Sequence, residues 1–172
     1  MTRALSIARK ILSWKTRFQV TDETDTVLYE CTWKFGWPSR SWVLYKNGEE
    51  VAIFRRKIFS FSPTWLVSVD GCDFRLRKKL FTFRRRLVVE DGPFDGAELT
   101  GGLFDMGFDL VHNDESLARA HAKVFTIRER LAIELVNDAP EVELLTALMM
   151  ANLLVQKDAE ADERHGSELR QE

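Results

Sequence analysis

The sequence predicts a mainly β protein: a closed antiparallel β-barrel of about twelve strands around a central hydrophobic C-terminal α-helix. Three observations predict it. A short phrase recurs along the chain, a turn signal lies midway between successive copies, and one late segment is apolar on every helical face.

The phrase is a residue that is often basic, an aliphatic or aromatic pair, a small residue and another apolar one. It reads Lys10-Ile11-Leu12-Ser13-Trp14, Lys57-Ile58-Phe59-Ser60-Phe61, Lys79-Leu80-Phe81-Thr82-Phe83 and Lys123-Val124-Phe125-Thr126-Ile127. Weaker copies stand at Lys34-Phe35-Gly36-Trp37 and Gly102-Leu103-Phe104-Asp105-Met106. First positions at 10, 34, 57, 79, 102 and 123 give successive gaps of 24, 23, 22, 23 and 21. So even a period marks a repeated supersecondary unit.

Between the copies lie Asp22-Glu23-Thr24-Asp25, Asn47-Gly48, Asp70-Gly71, Asp91-Gly92-Pro93 and Asn113-Asp114. Asn-Gly and Asp-Gly suit primed hairpin turns, where both central residues need positive φ. Each unit is therefore strand, tight turn, strand, with the phrase as the corner to the next unit. The flanks alternate as strands do: Val27, Tyr29, Cys31 and Trp33 face one way, and Leu28, Glu30 and Thr32 the other. Trp65, Val67 and Val69 behave alike, as do Leu131, Ile133 and Leu135. Five intervals give ten strands, and the pieces at about 2–9 and about 127–136 bring the number to about twelve. Closure removes the exposed edges that so long a meander would carry.

A barrel that wide cannot be filled by its own side chains. Val142–Val155 supplies the filling: past Glu143 only Thr146 and Asn152 interrupt its apolar residues. Asp138 as N-cap, Pro140 in the first turn and Glu141 give it a capping-box-like start. Its span of roughly 21 Å falls short of the ~30 Å hydrocarbon layer, so no transmembrane span is expected. Residues 1–157 form one domain with the helix at about 140–157, and residues 158–172 a charged, disordered tail.

These features resemble the LURP-one-related family of the tubby C-terminal-like superfamily, to which phospholipid scramblases are also assigned. The similarity covers about residues 2–157, with Lys57-Ile58-Phe59-Ser60-Phe61 as the best copy of the phrase. It implies a twelve-stranded barrel around a central helix. Tubby domains bind phosphoinositides through basic residues, so the resemblance also implies a lipid surface as a partner. It does not imply scrambling: there is no cysteine cluster to acylate, and Val136-Asn137-Asp138-Ala139-Pro140-Glu141 is not an Asp-rich calcium loop.

Charge is the main functional signal in the residues themselves. The net charge is −2. Residues 34–86 carry thirteen Lys/Arg against four Asp/Glu, a balance of +9, and residues 87–172 seven against nineteen, a balance of −12. Period two sets Arg75, Arg77 and Lys79 on one face of a strand, and Arg84 and Arg86 on one face of the next, with Arg55 and Lys57 as neighbours. Like charges side by side are unfavourable, and an anionic headgroup would relieve them. These seven cations are the candidate lipid- or anion-binding site. The alternative is a solvated outer wall on a scaffold or protein-interaction module.

Nucleic acid is a lesser candidate partner, because the pI is about 6.0 and no helix-turn-helix or RNA-recognition signature is visible. No enzymatic activity, cofactor or metal is expected. His112, His121 and His165 are far apart, and His112 has the wrong strand parity to join Asp105 and Asp109. No phosphate loop, nucleophile elbow or HExxH occurs. Cys31 and Cys72 lack CxxC spacing and read as plain thiols of a reducing cytoplasm, and the first ten residues lack the apolar stretch of a signal peptide. The five tryptophans, Trp14, Trp33, Trp37, Trp42 and Trp65, read as wall and corner packing.

Overall fold

Period-two alternation becomes twelve antiparallel strands. The computed structural model describes residues 3–12, 15–34, 41–80, 86–102, 107–123, 130–135 and 143–152. The strands are β1 (Arg3–Leu12), β2 (Lys15–Thr21), β3 (Val27–Lys34), β4 (Ser41–Lys46), β5 (Glu49–Arg56) and β6 (Thr64–Val69). There follow β7 (Cys72–Lys78), β8 (Arg86–Glu90), β9 (Glu98–Gly102), β10 (Gly107–His112), β11 (Glu115–Lys123) and β12 (Arg130–Leu135). Each strand pairs with its neighbours in sequence, and β1 pairs with β12, from Arg3 opposite Leu135 to Ala8 opposite Arg130, to close the barrel.

Inward and outward faces follow the expected parity except at Val27, which opens β3 beside the register shift with β2 and is exposed. Tyr29 and Cys31 are buried while Leu28, Glu30 and Thr32 lie nearer the surface; Trp65, Val67 and Val69 are buried, as are Ile133 and Leu135. Pairing runs into the first phrase, where Lys10, Ile11 and Leu12 still face Arg17, Thr16 and Lys15. Lys34, Gly102 and Lys123 end their strands, whereas β5 and β7 end at Arg56 and Lys78, just before their phrases begin.

Antiparallel neighbours send alternate connections to opposite ends. The connections after β2, β4, β6, β8 and β10 share one end, and all non-glycine residues with positive φ described in the chain lie there. Asn47 and Gly48 (φ 52° and 83°), Asp70 and Gly71 (47° and 78°), and Asn113 and Asp114 (51° and 63°) have the paired positive φ of a type I′ turn. Asp22 caps the first turn, its Oδ1 accepting the Thr24 and Thr26 amides at 2.8 and 3.0 Å. The turn at Asp91 is wider than a tight hairpin. It runs to Ala97, whose carbonyl accepts the Val89 amide at 2.8 Å. One-residue register shifts at Val20/Thr21, Leu44/Tyr45 and Leu110/Val111, each beside one of these turns, add local twist.

The described residues of all six phrases belong to the other end. The charge asymmetry thus gains a second axis. Carboxylates such as Asp22, Glu49, Asp70, Asp91 and Glu115 gather at the turn end, while Arg55, Arg56, Lys57, Lys78, Lys79 and Arg86 stand at the phrase end.

Helix α1 (143–152) fills the interior. Leu144 to Asn152 are buried without exception, the polar Thr146 and Asn152 included. Leu145, Leu148 and Met149 join Leu44, Phe54, Leu76, Leu99 and Ile133 of the wall in one core. The cap residues Asp138, Pro140 and Glu141, and the tail 158–172, lie outside the described residues. No helix among the described residues is long and apolar enough to cross a membrane.

At the turn end Glu143 is tied to the wall by an ion pair with Lys46, whose ammonium lies 5.6 Å from the Tyr29 ring centre. Hydrogen bonding from Lys46 holds the Glu143 carboxyl below its usual range, and the same bond raises Lys46. Burial raises Tyr29. A depressed carboxylate stabilises the fold above its unfolded pKa and loses that contribution as pH falls through the folded one. A raised lysine stabilises below its unfolded pKa and loses it as pH rises through the folded one. The stability difference between wild type and Lys46→Met should therefore be flat from about pH 5 to about pH 10 and shrink on both sides. Urea midpoints across pH check this.

Candidate basic surface

The register decides what the outer face of β7 meets. Arg55 on β5 stands opposite Leu66 on β6, Leu66 opposite Arg75 on β7, and Arg75 opposite Glu90 on β8. The like-charge juxtaposition expected from sequence is thus replaced by opposite charges, because β8 turns Arg86, Val88 and Glu90 outward and Glu90 meets Arg75.

Four of the seven candidate cations are ion-paired. Arg75 donates through Nε and Nη2 to Asp91 Oδ2, both at 2.8 Å, with Glu90 at 3.8 Å. Arg77 meets Glu90 Oε1 at 2.5 Å. Lys79 Nζ lies 3.3 Å from Glu98 Oε1, and Arg86 takes the other oxygen of the same carboxylate. Hydrogen bonding from Arg86, with a smaller part from Lys79, holds the Glu98 carboxyl below its ordinary range against opposing desolvation. Exposed pairs of this kind add little stability, but they occupy donors and cancel charge locally.

The other cations stand apart. No carboxylate among the described residues is in ion-pair range of Arg55, Lys57 or Lys78. Arg84 lies outside the described residues. Lys78 was not legible as a site residue: period two turns it inward, but β7 ends at Lys78 and parity no longer binds its side chain.

Between the β5–β6 loop and the end of β7 lies an open cleft of about 580 Å³, lined by Lys57, Arg77, Lys78 and Lys79 together with Phe59, Phe61 and the carboxylate Glu90. The β5–β6 loop that forms one wall is pinned by its own polar groups. The Lys57 amide donates to the Thr64 carbonyl at 2.9 Å, and the Lys78 amide to the Pro63 carbonyl at 3.1 Å. Ser60 and Thr64 hydroxyls donate to the Ser62 carbonyl at 2.6 and 2.8 Å, and the Ser62 hydroxyl donates to the Lys78 carbonyl.

Other candidates do not converge. Asp109 lies 3.5 Å from Arg119, while a His112 ring nitrogen is 3.1 Å from the Asp95 carbonyl; Asp105 and His165 lie outside the described residues. Among the described residues no three His, Cys, Asp or Glu side chains are grouped to hold a metal. Trp42 and Trp65 are buried in the wall, Trp33 packs against the core, and Trp14 and Trp37 lie outside the described residues. The outer wall carries charged side chains such as Glu30, Arg75, Arg77, Glu90 and Arg119 over an apolar interior, the inverse of a barrel that spans a membrane.

No curated protein matches the chain. The family model described as LURP-one-related matches residues 3–155. Nearly the whole barrel and its enclosed helix fall within that match, and the chain belongs to the LURP-one-related family.

Proposed function

We propose that the protein is a non-catalytic, cytoplasmic binder of anionic phospholipid headgroups that works peripherally at a membrane surface. One observation carries the reading: Lys57 and Lys78, without carboxylate partners among the described residues, line one open cleft at one end of the barrel, with Arg55, likewise unpaired with a carboxylate, two residues before Lys57 on β5. A phosphate entering the cleft gains charge-assisted bonds from donors that no acid already holds. Arg75, Arg77, Lys79 and Arg86 form an ion-paired border, four cations on three carboxylates, and Arg84 extends the cluster in sequence. The carboxylates of the opposite end turn the molecule's dipole so that this end approaches an anionic surface first. The free thiols Cys31 and Cys72 accord with a reducing compartment.

Sedimentation with vesicles of phosphatidylserine and phosphatidylcholine, against phosphatidylcholine alone, tests the proposal. Binding should require the anionic lipid and weaken steeply as salt rises from 50 to about 500 mM, as screening shortens the reach of the charges. An absence of binding at low salt would overturn the reading and leave a scaffold or protein-interaction module in its place.

A further inference from the structure

Six large apolar residues are exposed among those described: Val27, Ile58, Phe59, Phe61, Leu66 and Leu80. Three sit on the β5–β6 loop, where Ile58 is 58% exposed, Phe59 is 90% exposed and Phe61 is fully exposed. Leu80 follows the end of β7 across the cleft, and Leu66 stands beside Arg55 and Arg75. A chain that buries Phe18, Phe54 and Phe74 leaves two phenylalanines in water within one short loop. Clustered exposure of this kind marks an interaction surface.

We propose that this loop is a membrane wedge: Phe59 and Phe61, with Ile58, enter the acyl boundary of an anionic bilayer while the surrounding cations hold the headgroups. The proposal rests on the headgroup-binding reading and adds a hydrophobic component to it. Two observations support it. Hydrogen bonds through Lys57, Ser60, Ser62, Pro63 and Thr64 tie the base of the loop to itself and to the end of β7. The same bonds fix the arch, so the rings lose little freedom on entering. Lys57 precedes the apolar residues directly, and Lys78 and Lys79 face them across the cleft, which matches a charged headgroup layer over hydrocarbon. A second copy of the chain fits less well, since docking corner to corner would set Arg55, Lys57 and Lys78 against their own duplicates.

The full chain offers its own reference point. Cys72 is exposed beside the Asp70-Gly71 turn, at the opposite end of the barrel, and Cys31 is buried. A Cys72→Ser, Phe61→Cys chain labelled with an environment-sensitive dye is compared with wild type labelled at Cys72. On phosphatidylserine vesicles the dye at position 61 should shift to the blue, brighten several-fold and be quenched by acyl-chain spin labels; the dye at Cys72 should not change. Sedimentation of the same samples separates the two readings. Pelleting with an unchanged dye at position 61 overturns insertion alone, whereas no pelleting overturns both. A shift that follows protein concentration without vesicles overturns the wedge in favour of self-association. Independently, Phe59→Ala with Phe61→Ala should lower binding by about tenfold per ring, a loss that persists at high salt. Unchanged salt-resistant binding in that pair overturns the proposal.

Discussion

Replacing Leu148 by Asp abolishes the folded barrel. Leu148 is fully buried midway along α1, among wall residues from strands on all sides. A carboxylate there has no partner and no water, a penalty of several kcal/mol that exceeds what a domain of this size can absorb. Leu148→Ala isolates the packing component and costs about 2–5 kcal/mol, according to how far the wall collapses into the cavity. The two variants differ in kind: the alanine chain unfolds in one transition at lower urea, whereas the aspartate chain lacks near-ultraviolet circular dichroism from Trp42 and Trp65 even without denaturant. A well-packed Leu148→Asp protein would mean that the helix does not sit inside the barrel.

The second large effect separates charge from contact in vesicle binding. Changing Arg55, Lys57 and Lys78 to Gln removes three cations worth about 1 kcal/mol each near an anionic surface, so affinity falls by about a hundredfold or more. The control changes Arg75 and Arg77 to Gln together with Glu90→Gln and Asp91→Asn. That quadruple variant dissolves the ion pairs of β7 and β8 without changing net charge. Its affinity stays within about twofold of wild type when those arginines serve only their carboxylates. A comparable hundredfold loss in the quadruple variant would instead give Arg75 and Arg77 direct contact with headgroups. Sedimentation at a fixed low salt reads both.

The barrel was legible in the sequence because its signals are local. Asn47-Gly48 and Asp70-Gly71 encode their turns in two residues, and their φ values have the sign expected. The apolar segment beginning at Val142 carries the plug in its composition, and the even period fixes the number of hairpins. The site was legible only by residue type. That Arg75 meets Glu90 and Asp91 depends on the register between β7 and β8, set by the length and path of the chain joining them, which no periodicity encodes. Phe59 and Phe61 were visible as a corner phrase, but alternation tells inside from outside only within a strand, and this corner spans Lys57 to Pro63. An apolar phrase immediately followed by Ser62-Pro63 was the one available sign that these rings do not continue a strand.

Closure by β1 against β12 has a consequence for the order in which the chain can become a protein. Ten of the strands form five hairpins from neighbouring residues and can pair as soon as they emerge from the ribosome. The seam, by contrast, joins residue 3 to residue 135, and the plug comes later still. Until then the nascent sheet has two raw edges and an interior with nothing in it. A stop codon just before residue 143 would therefore remove far more than a helix: both seam strands would be present, but with no core to close around.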